Sequence, residues 1–307
     1  MSPKLKRDFL SVSDFNLNEI SEIFKKTEEL KKNKFQDSFK NKAVGLIFQK
    51  PSLRTRVSFQ VGVWQLGGQC MSLSPAEVNI GVRESIKDAA KTLSRYLDLI
   101  VARVFKHKDV TELAQHSLAP VINGLSDLYH PCQALADIFT VYEKRGNLKG
   151  LTLTYLGDGN NVCNSLLQAT SLLGMNMKVG APKGFAPDKD VLNFAKNTGL
   201  RTGASVVVTM DPKEAAHNAD VLYTDVWASM GQEKEAAKRA KIFKKYQLNK
   251  ELVSLAKKDV LIMHCLPAHR GMEITDEVMD SSGSVVFDEA ENRLHVQKAI
   301  MLKLIEK

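Results

Sequence analysis

Short apolar runs rich in β-branched residues recur along the chain, each followed by a polar turn and then by apolar positions three and four apart. Ala43–Phe48 is the first run, and Val57, Val61, Trp64 and Leu66 behind it mark an amphipathic helix. Leu99–Phe105 and Pro120–Asn123 read as two more strands, with Ile86, Ala89, Ala90, Leu93 and Leu97 forming a helix face ahead of them. After Gly150 the rhythm restarts with Leu151–Leu156, Met177–Val179, Val206–Thr209, Val221–Thr224, Leu261–His264 and Val285–Phe287. Strands alternating with helices predict an α/β protein whose parallel sheets are covered on both faces. Arg145–Gly150 reads as a hinge between two doubly wound domains, 1–145 and 146–290. A helix near Gln133–Lys144 joins them, and a second, from Glu291 to the end of the chain at 307, packs back on the first domain. Ligands of such sheets sit beyond the carboxyl ends of the strands. The loops after each strand, facing a cleft between the domains, are therefore where chemistry is expected.

Composition narrows the class. The chain has 307 residues, 44% apolar and 25% charged, which is ordinary globular usage and excludes a disordered, collagen-like or coiled-coil chain. No run approaches the roughly 18 apolar residues of a membrane span. Lys4, Lys6 and Arg7 meet Asp8 before any apolar stretch, which argues against a secretory signal. The net charge is +8, but aromatic residues are only 7% and none alternate with the basic ones as a nucleic-acid stacking platform requires. The basic runs Lys25–Lys34 and Lys234–Lys258 are interrupted by glutamates and read as solvated helix faces. A small anionic substrate suits the surplus better. Cys70, Cys132, Cys163 and Cys265 have no CxxC spacing, and in a chain this long they read as reduced thiols of a cytosol-like compartment.

Five loops carry candidate chemistry. Pro51-Ser52-Leu53-Arg54-Thr55-Arg56 follows a strand and opens a helix, where free N–H groups, two hydroxyls and two guanidinium forks suit a phosphate. His130-Pro131-Cys132-Gln133 sets an imidazole and an amide at another helix start, either as a structural pair or as groups that polarise a carbonyl and accept from an amide. Gly157-Asp158-Gly159-Asn160-Asn161 resembles a dinucleotide fingerprint, but Val162 stands where the third glycine belongs, so the asparagine pair better suits the polar ends of an amino acid. Asp225-Val226-Trp227-Ala228-Ser229-Met230-Gly231 offers a carboxylate for a cationic group. In His264-Cys265-Leu266-Pro267 the thiol is either a buried packing residue or a reactive group, and a fourth zinc ligand is missing.

Taken in this order, Ser-x-Arg-Thr-Arg, His-Pro-x-Gln, Gly-Asp-x-Asn-Asn, Asp-x-Trp-x-Ser-Met-Gly and His-Cys-Leu-Pro resemble the ornithine carbamoyltransferases of the aspartate/ornithine carbamoyltransferase family. The resemblance runs from about Phe9 to Ile305 and includes Glu289-Ala290-Glu291-Asn292-Arg293. It implies that Ser52, Leu53, Arg54, Thr55 and Arg103 bind carbamoyl phosphate, with His130 and Gln133 on its carbamoyl group. It implies that Asn161, Asp225, Ser229 and Met230 bind ornithine, and that Cys265, Leu266 and Arg293 close over the reacting carbonyl and amine. Arg103, His130 and Cys265 then carry the catalytic roles, without metal or organic cofactor. A homotrimer or an assembly of trimers, a cytoplasmic or mature mitochondrial location, and no nucleic-acid or membrane partner are also implied. Two positions depart from the pattern: Leu53 replaces the usual threonine, and Asn79 stands where a longer glutamine or histidine reaches a neighbouring subunit. Leu53 fits an enzyme acting on an acylated ornithine about as well, and that alternative remains open.

Overall fold

The computed structural model describes residues 6–74, 81, 84–228 and 235–305. It contains two compact units, Met1–Ala136 with Glu291–Lys307, and Asp137–Ala290. The first unit holds β1 (Ala43–Phe48), β2 (Gln69–Leu73), β3 (Leu99–Arg103) and β4 (Val121–Leu125), all parallel, in the order β2-β1-β3-β4. Its helices are α1 (Leu17–Lys32), α2 (Leu53–Gln65), α3 (Ile86–Leu93) and α4 (His107–His116). Helix α5 (Pro131–Arg145) crosses from one unit's residues to the other's.

The second unit holds β5 (Thr152–Leu156), β6 (Asn176–Gly180), β7 (Val206–Thr209), β8 (Val221–Thr224) and β9 (Leu261–His264), parallel, in the order β7-β6-β5-β8-β9. Helices α6 (Asn161–Leu172), α7 (Lys189–Thr202), α8 (Pro212–Ala216), α9 (Ala236–Phe243), α10 (Lys250–Val253) and α11 (Asp276–Met279) connect and cover them. The last helix, α12 (Val286–Ile305), again crosses the division. In each sheet the chain winds outward from one strand, returns, and continues on the other side. The reversals fall between β1 and β3 and between β5 and β8. At such a point the adjacent loops leave toward opposite faces and open a crevice.

Three local expectations fail for physical reasons. Strand β2 was not visible in the pattern because it is an edge strand whose residues are half-buried or exposed; it forms by pairing Ala43–Ile47 of β1 with Gln69–Leu73. Val285–Phe287 is not a strand. Val286 opens α12, five residues before the expected start, with Asp288 and Glu289 in a first turn that favours negative charge. In α2 the buried face is Thr55, Phe59, Gly62 and Val63, while Val57 and Trp64 are exposed. That helix has apolar residues on both sides, so its period admits two faces, and packing selects one.

Helix α12 brings a buried ammonium under the first unit. Lys298 Nζ donates to Gln65 Oε1 (2.8 Å) and to the carbonyls of Lys34 (3.2 Å) and Leu30 (3.4 Å). The cation thus satisfies acceptors at the C-terminal end of α1 and holds the far end of α2. Burial, then the charge of Lys34, pushes this lysine down to about 8. An unfolded lysine keeps its proton to about 10.4, so the unfolded chain binds more protons in that window and stability rises with pH across it. Replacing Lys298 by Leu is expected to remove that rise. It should also lower the unfolding midpoint at pH 7, because a buried acceptor left without a donor costs about 1–3 kcal/mol. Urea unfolding at pH 7, 8, 9 and 10 measures both effects.

Candidate active site

In the first unit candidate side chains fall at the neighbouring ends of β1 and β3 and at the helix starts beside them. Ser52 is the N-cap of α2, its Oγ accepting from the Thr55 N–H (3.3 Å), so the open end of a 13-residue helix is aimed past the end of β1. Register does the rest: Phe48 pairs with Arg103, which places the last residue of β3 beside this loop. A register shift between Ala102 and Arg103 against β4 turns the strand there. Thr55 is buried, and its Oγ1 accepts from Arg293 Nη2 of α12 at 2.8 Å. Arg103, Arg293, His130 and Gln133 are buried as well, while Leu53 is exposed.

Positive charge gathers around His130. Burial, then the charges of Arg293, Arg103 and Arg54, drives the His130 imidazole well below its ordinary value. His130 is therefore a neutral ring among three guanidiniums. Lys50, which the motif reading passed over, is held down by burial and then by Arg103. Burial pushes the Cys132 thiol up to about 12, so this cysteine is an inert packing group. Arg56 lies outside the cluster, its guanidinium 5.5 Å from the Phe48 ring centroid.

In the second unit, Leu156 pairs with Thr224 and Thr224 with His264, so β5, β8 and β9 end level. The residues that follow, Gly157–Asn161, Asp225 and Cys265, emerge at one edge. Asn160 caps α6 by accepting from the N–H groups of Val162 and Cys163, and its Nδ2 donates to Asp225 Oδ2 (2.7 Å). Cys265 Sγ donates to Asp225 Oδ1 (3.0 Å). Gly159 is required, since a Cβ there would lie 2.3 Å from the Pro187 nitrogen. Leu266 sits at φ +56°, a left-handed conformation costing about 1–3 kcal/mol in a non-glycine residue, and its N–H donates to His264 Nδ1 (2.9 Å). His264 Nε2 meets Glu273 Oε1 at 3.2 Å. The ligand atoms of Asp225, His264 and Cys265 lie within 4.8 Å of one another, but both nitrogens of this histidine are already engaged.

Burial and then Asp225 push the Cys265 thiol well up. It is a protonated donor at neutral pH, not a thiolate that takes up a proton. Asn161 is the first residue of α6, at the same edge. Ser229, Met230 and Asn79 lie outside the described residues. Sequence reasoning offered the Asn160-Asn161 pair to an amino acid, whereas Asn160 caps α6 and holds Asp225; it missed Arg239, which sits inside a run read as solvated. Arg239 of α9 is buried, donates to Asp158 Oδ2 (2.8 Å) and the Trp227 carbonyl (3.0 Å), and lies over the Phe185 ring at 4.9 Å. It ties the loop after β5 to the loop after β8. Burial raises Asp158 to about 6 against the pull of that guanidinium.

Comparison with known proteins agrees with these motifs. Residues 7–143 match the family model described as aspartate/ornithine carbamoyltransferase, carbamoyl-P binding domain, and residues 149–304 match its Asp/Orn binding domain. An ornithine carbamoyltransferase of Thermococcus kodakarensis is 52% identical over 299 residues, 96% of this chain and 95% of that one. A catabolic ornithine carbamoyltransferase of Thermoplasma volcanium is 50% identical over 302 residues, 98% of this chain and 99% of that one. Among solved structures, ornithine carbamoyltransferase from Pyrococcus furiosus superposes with a TM-score of 0.94 at 49% identity, covering 96% of each chain.

A neutral His130 has a direct consequence. Its ring protons are expected to show no titration between pH 5 and 8 by NMR, and a midpoint near 6.5 would contradict the assignment. An unfolded histidine takes up a proton below about 6.5 and the folded one does not, so stability is lost as pH falls through that value. His130→Gln should shrink that acid loss in urea titrations.

Proposed function

The chain belongs to the aspartate/ornithine carbamoyltransferase family, and on that premise we propose that it transfers the carbamoyl group of carbamoyl phosphate to the δ-amine of L-ornithine, giving L-citrulline and phosphate. The observation that carries the reading is the segregation of charge. The first unit gathers three guanidiniums around a neutral imidazole at a helix N-terminus, and the second presents the Asp225 carboxylate beside a protonated thiol. One suits a phosphate with its carbonyl, the other an amino acid with a cationic end.

In this reading Ser52, Arg54, Thr55, Arg103 and the Leu53 backbone hold the phosphate, with His130 and Gln133 on the carbamoyl group. Asn161, Asp225, Ser229 and Met230 hold ornithine. The neutral δ-amine attacks the carbonyl carbon; a C–N bond forms, the C–O bond to phosphate breaks, and the proton lost by nitrogen leaves with phosphate. Charge develops on the carbonyl oxygen and on the leaving group. Arg103, His130, Thr55 and Arg293 are fixed donors placed to receive the first, and the arginines the second. Cys265 orients the amine as a donor–acceptor on the strand end, with Leu266 beside it. Asp225 repels a second carboxylate, which disfavours aspartate as the amine. The finer assignments of arginine biosynthesis, a cytoplasmic setting and a homotrimer rest on the family resemblance. Exposed Leu53, Val57 and Trp64 on α2, with Phe35 edge-on to Trp64, support a covered apolar surface.

The deciding experiment offers carbamoyl phosphate with ornithine, N-acetylornithine, N-succinylornithine or aspartate and measures the carbamoylated product. Citrulline should dominate; preference for an acylated ornithine would replace this reading. Arg54→Ala or Arg103→Ala should weaken carbamoyl phosphate binding roughly ten- to a hundredfold, the loss of one charge-assisted contact of about 1.5–3 kcal/mol. Asp225→Asn should weaken ornithine binding and spare carbamoyl phosphate. Calorimetry with each substrate separates the two, and normal ornithine binding by Asp225→Asn would remove that residue from the site.

A further inference from the structure

Behind Cys265 lies a cluster that the proposed reaction does not use. Asp137 on α5, Tyr223 on β8 and Glu289 on α12 are fully buried together. The Tyr223 hydroxyl lies 3.0 Å from Asp137 Oδ2 and 3.2 Å from Glu289 Oε1, so one phenol bridges the two carboxyls. A phenol has one proton to give and an ionised carboxylate has none. With both carboxyls on one hydroxyl, its proton serves one of them, and the second contact is a hydrogen bond only when that carboxyl carries a proton of its own. Two ionised carboxylates this close and out of water would repel at low dielectric.

Groups facing the pair include Tyr223 of β8 with Asp225 just beyond it, and the His264 N–H and the Cys265 thiol at the end of β9. On the exposed side of the same two helices, Lys144 pairs with Asp288 at 2.7 Å. Glu289 Oε2 accepts from the His264 backbone N–H (3.0 Å), and the next residue donates its thiol to Asp225. We propose that Asp137 and Glu289 share one proton in the resting protein, and that Glu289 so held is a positioning residue for the strand end that carries Cys265. Burial and the Asp137 carboxylate push Glu289 well up, against the pull of the His264 N–H and the Tyr223 hydroxyl, which agrees with this geometry. The shared proton also keeps a further negative charge from accumulating behind the thiol, next to Asp225. The positioning role rests on the proposed carbamoyl transfer; the shared proton does not.

Infrared difference spectra of the parent against Glu289→Gln and Asp137→Asn test the proton first. A protonated-carboxyl band should be present in the parent at pH 7 and lost in both variants. A parent without such a band overturns the proposal, whatever the variants do. Kinetics test the positioning. Glu289→Gln keeps an acceptor for the His264 N–H and supplies an amide donor in place of the proton, so kcat should stay within about threefold of the parent. Glu289→Leu keeps the volume without the acceptor and should lose at least about tenfold in kcat, with the KM for carbamoyl phosphate unmoved. Equal impairment of Gln and Leu variants, or an unimpaired Leu variant, overturns the positioning role. Were ornithine not the substrate, the band would persist; were the proton not shared, transfer would persist without it.

Discussion

Parallel strands all end at the same edge of their sheet, and the loops that carry the candidate residues meet because of that constraint. Because Leu156, Thr224 and His264 are level, three loops from distant parts of the chain open side by side. The same holds for Phe48 and Arg103 in the first unit. The reversals of strand order then draw neighbouring loops apart and leave room for a ligand at these two positions. Within each unit no single loop supplies all the candidate residues; the sheet collects them.

Charge is distributed as the backbone geometry allows. In the first unit guanidiniums surround an imidazole that burial and their own charge hold neutral. In the second unit the acids are compensated individually. Asp158 is met by Arg239, Asp225 receives hydrogen bonds from Asn160 and Cys265, and Glu289 is held against Asp137 and Tyr223. A buried carboxyl without such compensation costs several kcal/mol, so these contacts keep the strand ends in one arrangement as well as tuning their chemistry. Rigid support of this kind is what a site needs if its donors are to be in place before charge develops.

Much of this was legible in the sequence. The alternation of apolar runs with helical faces predicted the α/β class and, β2 apart, the strands of both sheets. Ser52 announced a cap, and the motif residues His130, Gln133, Asp225 and Cys265, with Arg103 from the family resemblance, each fall where a strand ends or a helix starts. These are local properties: period, capping and turn chemistry act over a few residues, and a strand's carboxyl end is fixed as soon as the strand is.

What the tertiary structure alone decided is which buried polar groups meet. Tyr223 contacts Asp137 across 86 positions and Glu289 across 66, Asn160 reaches Asp225 across 65, and Arg293 reaches Thr55 across 238. Nothing in the spacing of Arg239 or Lys298 distinguishes them from solvated neighbours in a basic run or on a helix. Packing selected the inner face of α2 from two apolar candidates, and pairing with β1 made a strand of Gln69–Leu73. Burial also decides protonation. A sequence shows a histidine, a cysteine and two acids; only removal from water, and the groups brought beside each, make them a neutral imidazole, a protonated thiol and two carboxyls on one buried phenol.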